Sequence, residues 1–429
     1  MLIEFAVTNF RSIRETQRLT MAASNKDKQL PDHVFTPPAP RLSNTKLLKS
    51  AVIYGANASG KSNLFKAAQF MRWFVVVSAA HLKPGEGTGV TQFRLDPEWV
   101  NRPAEFEIEF IQDSVRYRYY FAIDQNRVYE EGLIAHPQGP PQRWYTRSFN
   151  HDSGQYEWNF SQKFFKGEKK SLQEKTRDNA LFLSTAAQFN HAQLKRVYQF
   201  FKDRFRFIDY SNRPINPMTT VRIIRTDEKI KQNITNLLRN ADFGISDFSL
   251  RIIQPDELKL PEDYPQKAKE EIIQKAREGN FIDIDLLHTG SNPESPITID
   301  FEEEATGTQK FFSLLGPLLE AVRYGSVLWI DELGSQMHSL LIRKIVELIH
   351  SPEANLQTTQ LVFTTHDTTL LDTNFFRRDQ IWFMEKNPEG ATILYPLTDY
   401  KPRQDEALQK GYLAGRYGAI PFLEGFSFE

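Results

Sequence analysis

The 429-residue sequence has no cysteine. Disulfides, thiol nucleophiles and cysteine-built metal sites are therefore excluded, and the absence fits a reducing compartment. Net charge is equally scarce, because 53 lysines and arginines meet 54 aspartates and glutamates. That balance argues against a surface that coats nucleic acid everywhere and leaves room only for a local basic groove. No apolar run approaches the roughly 18 residues of a membrane-spanning helix. The longest candidate, 70–80, is short and carries Arg72, so it reads as a buried helix face. No basic segment leads into an apolar stretch at the start, so no signal peptide is expected. Internal repeats and low-complexity tracts are also lacking. The expectation is a soluble, cytoplasmic protein with no membrane association.

A chain of this length can bury at least one large core. Residues 1–20 alternate in a strand-like way through Leu2, Ile3, Phe5, Val7 and Phe10. A polar, proline-rich loop is expected over 25–44, then a buried strand over 47–54, a glycine turn, and a helix from Lys61 to about Ala80. From 93 to 158 the pattern becomes short alternating segments, FEIEFI, VRYRYYFAI, VYEEGLIA, RWYT and QYEW. Turn residues separate them, as in antiparallel sheet. A strand at 180–184 is expected to lead into a helix at 192–205. Over 210–285, Thr226 is expected to cap a helix with Ile230, Ile234, Leu237 and Leu238 on one face. A charged helix follows at 266–277. This segment reads as a short helical insertion without a sustained heptad. The last third alternates helices with buried strands, as in an α/β sheet.

The strongest chemical signal is Gly55-Ala-Asn-Ala-Ser-Gly-Lys-Ser62, a complete GxxxxGKS phosphate loop between an apolar strand and a helix. Glycine lets the backbone turn its N–H groups onto phosphates, and the next helix presents its N-terminus to the same charge. Lys61 is expected at the β and γ phosphates of ATP and Ser62 at Mg²⁺. The candidate nucleotide-binding set is Gly55, Asn57, Ser59, Gly60, Lys61, Ser62 and Asn63. A second signal is SVLWIDE at 326–332, an apolar strand ending in two carboxylates. Asp331 is expected to bind Mg²⁺ through water, and Glu332 to polarise the attacking water as general base.

Two further motifs flank that strand, Glu304-Ala-Thr-Gly-Thr-Gln309 before it and Thr364-Thr-His-Asp367 after it. In this order the sequence resembles ABC ATPases of the SMC and RecF type. The resemblance implies an α/β fold, an ABC-type P-loop ATPase head with an antiparallel β subdomain and a short helical insertion. It divides the chain into an N-terminal lobe (1–208), an insertion (209–288) and a C-terminal lobe (289–429). Thr306 and Gly307 match the Ser-Gly of the signature loop, which in that family contacts ATP held by the opposite subunit. Thr308 and Ala305 depart from the family's second glycine and leucine. His366 matches the switch histidine that senses the γ phosphate beside the general base. One set of motifs per chain then implies a homodimer closed by ATP, with higher oligomers left open. The family's glutamine loop, which also reaches the metal, maps to Gln188, with Gln92 as the competitor. Arg11 matches an arginine near the phosphates, or is a solvated strand-end residue. His338 falls where the family has a histidine after Walker B, and it has no companion ligands.

Further stretches resemble a subset of these ATPases found beside anti-phage and abortive-infection genes, the RloA/AbiL-like group. They include NFRSIRE, YGANASGKSN, TRDNALFLSTAAQFN, EATGTQKFF, IDELGSQMHSLL, TTHDTTLLD, RRDQIWFMEK and GRYGAIP. That resemblance implies a sensor or regulator working with a separately encoded effector, an RloB- or TOPRIM-like nuclease or toxin. The residues after Asp399, ending GFSFE, are a docking surface or a helix packed back on the lobe. About 50 residues follow TTHDTTLLD, too few for an added nuclease domain, so the chain is expected to hydrolyse ATP and not to cut nucleic acid itself. Two rival readings remain. One is a DNA-repair ATPase clamping duplex through the basic stretch LKRVYQFFKDRFRF (194–207); the other is a transporter subunit, for which no membrane-coupling feature is evident.

Overall fold

The computed structural model describes residues 1–39, 45–137, 140–209, 216–258, 261, 265–277, 282–290 and 296–421. The expected loop at 40–44 and the GFSFE end therefore lie outside the described residues. The chain forms two compact units, one of residues 1–211, 321–335 and 342–429, the other of 212–320 and 336–341.

The first unit contains two large sheets. The antiparallel sheet is built from β1 (Leu2–Thr8), β2 (Gln17–Thr20), β6 (Ala104–Gln112), β7 (Val115–Ile123), β8 (Val128–His136), β9 (Gln142–Asn150) and β10 (Gln155–Phe160), in the order β10-β9-β8-β7-β6-β1-β2. The second comprises β5 (Ser50–Tyr54), β11 (Phe205–Asp209), β15 (Val327–Asp331), β16 (Gln360–Thr364), β17 (Ile381–Lys386) and β18 (Thr392–Pro396). Its order is β11-β15-β16-β5-β17-β18, parallel except for β18. A small pair, β3 (Val34–Phe35) and β4 (Leu47–Leu48), completes the strands of this unit.

Sequence patterns explain both sheets. β6 and β7 alternate, so one face carries Phe106, Ile108, Phe110, Tyr119 and Phe121 into the core. The other face of the sheet is a charged ladder in which Arg18 of β2 pairs with Glu4 of β1, and Arg118 of β7 with Glu107 of β6. β5, β15 and β16 are buried at every position, as parallel strands covered on both faces must be. Between the sheets runs α1 (Lys61–Val77), which buries Leu64, Phe65, Ala67, Ala68, Met71, Phe74 and Val75. This spacing follows the helical period. Phe5 meets Trp329 edge to face at 5.8 Å, so both sheets share one core. Each such fully buried aromatic contributes roughly 1.5–3 kcal/mol.

Shorter helices decorate this unit: α2 (Pro97–Val100), α3 (Lys170–Lys175), α4 (Phe182–Gln188), α5 (Ala192–Gln199) and α11 (Leu408–Leu413). The strand expected at 180–184 is instead the start of α4. Its first turn lacks a local side-chain cap. The buried Glu131 of β8 supplies one from a distance, accepting from the N–H groups of Phe182 (2.7 Å) and Leu183 (2.9 Å). Residues 400–421 pack back on this unit, where Tyr412 of α11 stacks on Phe383 and sits 5.9 Å from Tyr54. Helix α10 (Ser339–His350) buries Ile342, Ile345, Val346 and Ile349.

The second unit holds α6 (Met218–Thr226), α7 (Glu228–Arg239), α8 (Gln266–Arg277) and residues 306–320 of α9 (Thr306–Tyr324). It also forms a three-stranded antiparallel sheet of β12 (Ile245–Ile252), β13 (Ile282–His288) and β14 (Ile297–Asp300), which the helical reading left out. Thr226 ends α6 rather than capping α7. Asp227 is the cap, accepting from the Ile230 N–H. Pro317 lies inside α9 and has no N–H for the Ser313 carbonyl. The Thr220 hydroxyl fills that vacancy, donating to Ser313 O at 2.8 Å. Gly316 makes room for it, since a Cβ there would lie 2.6 Å from Thr220.

Candidate functional site

The ends of β5, β15 and β16 point the same way because the strands are parallel, and the loops that follow them bring the phosphate loop, Asp331 and His366 to one edge. Ligands of open α/β sheets sit at such carboxyl ends. The phosphate loop turns tightly through Ala58 (φ 62°) and Gly60 (φ 113°). Gly60 cannot carry a side chain, because a Cβ would come within 2.2 Å of the Thr392 hydroxyl. Gly55 is equally constrained, facing the Met384 carbonyl at 2.3 Å. Lys61 and Ser62 open α1, whose first N–H groups have no intrahelical acceptor.

Lys61 is buried and donates to the carbonyls of Gly55 (2.8 Å) and Ala56 (3.0 Å). Burial lowers its pKa to about 8, against the opposing pull of Asp331 and Glu332. A cation held this way gains most from an added anion. Asp331 is fully buried. Its Oδ1 accepts from Thr364 Oγ1 at 2.7 Å, while its Oδ2 is buried without a hydrogen-bond partner. An orphaned carboxylate oxygen whose charge is felt by Lys61, the neighbour of half-buried Ser62, fits a hard divalent cation with oxygen ligands. The buried Ser59 hydroxyl, likewise unpartnered, faces the same loop.

Glu332 takes a left-handed backbone (φ 58°) and donates its N–H to Thr364 Oγ1 at 2.7 Å. That conformation costs of order 1 kcal/mol for a non-glycine residue. It swings Glu332 off the strand axis, and its side chain is partly exposed while Asp331 is buried. His366 stands exposed just beyond β16. Partial desolvation first, and Lys61 second, hold its imidazole below the usual histidine range. Neutral at physiological pH, it can accept or donate one hydrogen bond.

Asn63 donates to Ser12 Oγ (2.7 Å), which bonds Thr392 Oγ1 (2.8 Å), which donates to Ser59 O (3.0 Å). This chain clamps the phosphate loop between the first turn of the sequence and β18. Ser12 and Thr392 escaped the sequence reading. Ser12 had a signal as neighbour of Arg11, whereas Thr392 had none. Arg11 itself is exposed, in a left-handed turn (φ 52°), with its N–H on Thr91 O and its guanidinium 5.6 Å from the Phe10 ring. Asn57 is exposed at the tip of the loop.

The two glutamines separate clearly. Ser184 of α4 accepts from the Ala79 N–H, just past the far end of α1. That end is roughly 24 Å from Ser62 by helical rise. Gln188, exposed one turn further along α4, is therefore remote from the metal position expected for it. Gln92 is buried between Thr91, which accepts from Arg11, and Phe93, whose N–H donates to Asn9. It lies beside the turn that clamps the loop.

In the second unit, Thr306 is the exposed first residue of α9. Gly307 is required by a close approach, since a Cβ would fall 2.7 Å from the Gln336 carbonyl. Gln309 reaches back to the carbonyls of Phe301, Glu302 and Glu304 and holds the preceding turn. Thr308 is buried, which accounts for a side chain where the resemblance has glycine. His338 is exposed, its Nδ1 accepting from the Leu340 N–H. Among the described residues no group of three or more metal-ligating side chains occurs, and no helix is long and apolar enough to cross a membrane.

Comparison with solved structures finds several similar chains. One is the SmcHead bound to the C-winged helix domain of ScpA, with 12% identity over 93% of this chain and 99% of that one and a TM-score of 0.42. Another is the SMC head domain from Thermotoga maritima (10% identity, 92% and 98%, TM-score 0.40). A third is the Smc head domain with an extended coiled coil, bound to the C-terminal domain of ScpA derived from Pyrococcus furiosus (13% identity, 93% and 97%, TM-score 0.39). No curated protein sequence matches the chain. Residues 50–372, from the start of β5 to beyond His366, match the family described as "AAA domain, putative AbiEii toxin, Type IV TA system". The chain is a member of that AAA-domain family.

Proposed function

We propose that the chain is an ABC-type ATPase that works as a nucleotide-gated switch, closing a homodimer around Mg·ATP. The observation that carries this reading is the meeting of Lys61, Asp331 and Glu332 at one sheet edge, felt electrostatically by the lysine. In it, Gly55, Gly60 and the first turn of α1 cradle the phosphates, with Lys61 on the β and γ groups. Ser62 and Asp331 would hold Mg²⁺, which neutralises charge building up on the transferred phosphoryl group. Glu332 orients water for in-line attack, and neutral His366 takes a hydrogen bond from the same region. Thr306 and Gly307, at the exposed start of α9, meet the nucleotide of a second copy.

The RloA/AbiL-like resemblance supports a regulatory task, with ATP closing the switch over a separate nuclease or toxin effector in anti-phage defence. The family's description, which names AbiEii and a type IV TA system, points the same way. The duplex-clamping alternative rests on the same stretch, whose Leu194, Val197, Phe200, Phe201 and Phe205 are buried core while Lys195, Arg196 and Lys202 are exposed.

The test is the light-scattering mass of Glu332→Gln with and without Mg·ATP. Removing the carboxylate should trap ATP and double the mass of the 49.8 kDa chain. ATP binding with neither a mass change nor compaction would end the switch model and the assignment at Thr306 together.

A further inference from the structure

Away from the phosphate loop, the first unit has an open cleft of about 370 Å³ lined by Gln112, Gln199, Asp203, Arg204, Arg206 and Tyr324. It lies at the amino ends of β11 and β15, where Arg206 faces Leu328 in register, not at the carboxyl ends that hold Asp331 and Lys61. We propose that this cleft is a second ligand site that takes a nucleoside phosphate, independent of the phosphate loop.

The local backbone is built for it. Helix α5 does not run straight into β11 but passes through a π-helical turn, Phe200–Arg204. Such turns are rare and concentrate at functional sites. Here the turn buries Phe200 and Phe201 while placing Asp203 and Arg204 in the cleft lining and leaving Lys202 exposed. Phe200 stacks on Phe110 at 4.0 Å, so the core locks the unusual turn in place.

The charges point to an anion. Lys202 and Arg204 form no ion pair among the described residues. Behind them, Arg72 of α1 donates to the Lys202 carbonyl at 3.2 Å, and its Nε is buried with no partner. Burial, and then the Arg206 guanidinium, pull Arg72 below the usual arginine range. Crowded guanidinium groups suit phosphate, which they can bind bidentately. Arg206 Nε is fixed on Asp203 O at 3.1 Å, which orients the group.

Phosphate alone would not need the rest of the lining. Tyr324 leaves 47% of its surface exposed, an open ring on which a base can stack. Gln112 and Gln199 each carry a donor and an acceptor suited to a base edge. The volume suits one nucleotide rather than a macromolecular surface. An acidic peptide would use the arginines but leave the ring and the carboxamides idle.

Calorimetry on the full chain tests this, with the four ribonucleoside 5′-monophosphates, inorganic phosphate, a 5′-phosphorylated octanucleotide and a polyglutamate peptide as probes. Titrations use the wild type holding one equivalent of Mg·ATP and, separately, Lys61→Ala. Both should bind one monophosphate per chain. Arg204→Glu should weaken binding about tenfold or more. Tyr324→Ala should weaken the nucleotide but not inorganic phosphate. A preference for the octanucleotide assigns the ligand to a strand end, and a preference for the monophosphate assigns it to a free nucleotide. Photo-crosslinking of 8-azido-AMP to the wild type needs no substitution, and label should map to 196–206 or Tyr324. The proposal is overturned by no binding at millimolar concentration, by binding indifferent to Arg204→Glu, by label confined to phosphate-loop peptides, or by polyglutamate competing as well as nucleotide. Loss of binding in Lys61→Ala alone also overturns it and leaves the ATPase reading standing.

Discussion

The Thr364 hydroxyl donates to Asp331 Oδ1 and accepts the Glu332 N–H, both at 2.7 Å. One side chain at the end of β16 thus holds the Asp331 carboxylate and the Glu332 backbone at the end of β15, two residues before His366. It leaves Oδ2 as the single free oxygen of Asp331 and holds Glu332 in its left-handed conformation.

Replacing Thr364 with valine keeps the shape and removes both bonds. Each lost partner leaves a buried polar group unsatisfied, at about 1–3 kcal/mol. Because outer-sphere partners tune metal affinity about 10–100-fold, the Mg²⁺ concentration for half-maximal ATP turnover should rise within that range. Thr364→Ser should restore it. A Thr364→Val chain that melts early yet keeps its magnesium dependence would reduce Thr364 to a packing residue.

Lys61 predicts how nucleotide binding depends on pH. Its pKa near 8 lies well below the ordinary lysine value because burial disfavours the charge. Bound phosphate restores the charged form. Below pH 8 the lysine is already protonated and binding should take up little proton. As pH rises through 8 to 9 the ligand-free lysine loses its proton, so binding must take one up and ATP affinity must fall. Calorimetry in buffers of different ionisation enthalpy measures that uptake directly. Affinity flat from pH 7 to 9 would place Lys61 away from the phosphates.

The contrast between phosphate loop and α4 shows what the sequence makes readable. GxxxxGKS, the buried β5 and the periodic α1 are local patterns, and each carries its own physical reason within about 25 residues. LFLST is also a local pattern and reads as strand, yet it folds as helix because Glu131 caps it from β8. Thr392 under the phosphate loop, the Thr220 hydroxyl filling the Pro317 vacancy, and the strands β12 and β13 belong to the same class. Their causes lie across 30 to 333 residues of chain, and among them only the strands leave a periodic trace, as in the alternating IDIDL of β13. Gln188 shows the same limit, since its family-like context is local and its distance from Ser62 is set by the length of α1.

Glu131 should therefore matter more than any local capping residue. It is fully buried and accepts from Phe182 N, Leu183 N, Tyr119 Oη (3.1 Å) and Tyr145 Oη (2.8 Å). Burial raises its pKa, while Arg147 and these donors oppose that shift. Glu131→Ala leaves four buried donors without their acceptor, and should cost about 3 kcal/mol or more. Urea unfolding followed by near-ultraviolet dichroism of the surrounding tyrosines reads the loss. A cost below about 1 kcal/mol would mean that α4 forms without its distant cap.

A buried histidine pair sets the acid limit. His33 and His350 stack with centroids 3.5 Å apart at the amino end of β5, opposite the phosphate loop. His350 Nε2 meets Ser50 Oγ at 2.8 Å, and His33 Nδ1 meets Gln380 Oε1 at 2.9 Å. Lys49 donates to the His350 carbonyl, and Arg377 pairs with Asp379 nearby. Burial chiefly, helped by the neighbouring positive groups, lowers both pKa values, while the Gln380 hydrogen bond and Asp32 pull His33 the other way. Folded, the pair stays neutral; unfolded, each histidine protonates near pH 6.5. The stability they contribute is therefore complete above pH 6.5 and is lost as pH falls below it. Each unit of depression is worth about 1.4 kcal/mol. Melting temperature should fall steeply from pH 7 to pH 5 in the wild type and more gently in His350→Gln, which keeps an acceptor for Ser50 but cannot titrate. At pH 7.5 that variant should hydrolyse ATP like the wild type, because the pair lies outside the nucleotide edge. Parallel melting curves in the two proteins would move the acid limit to other groups.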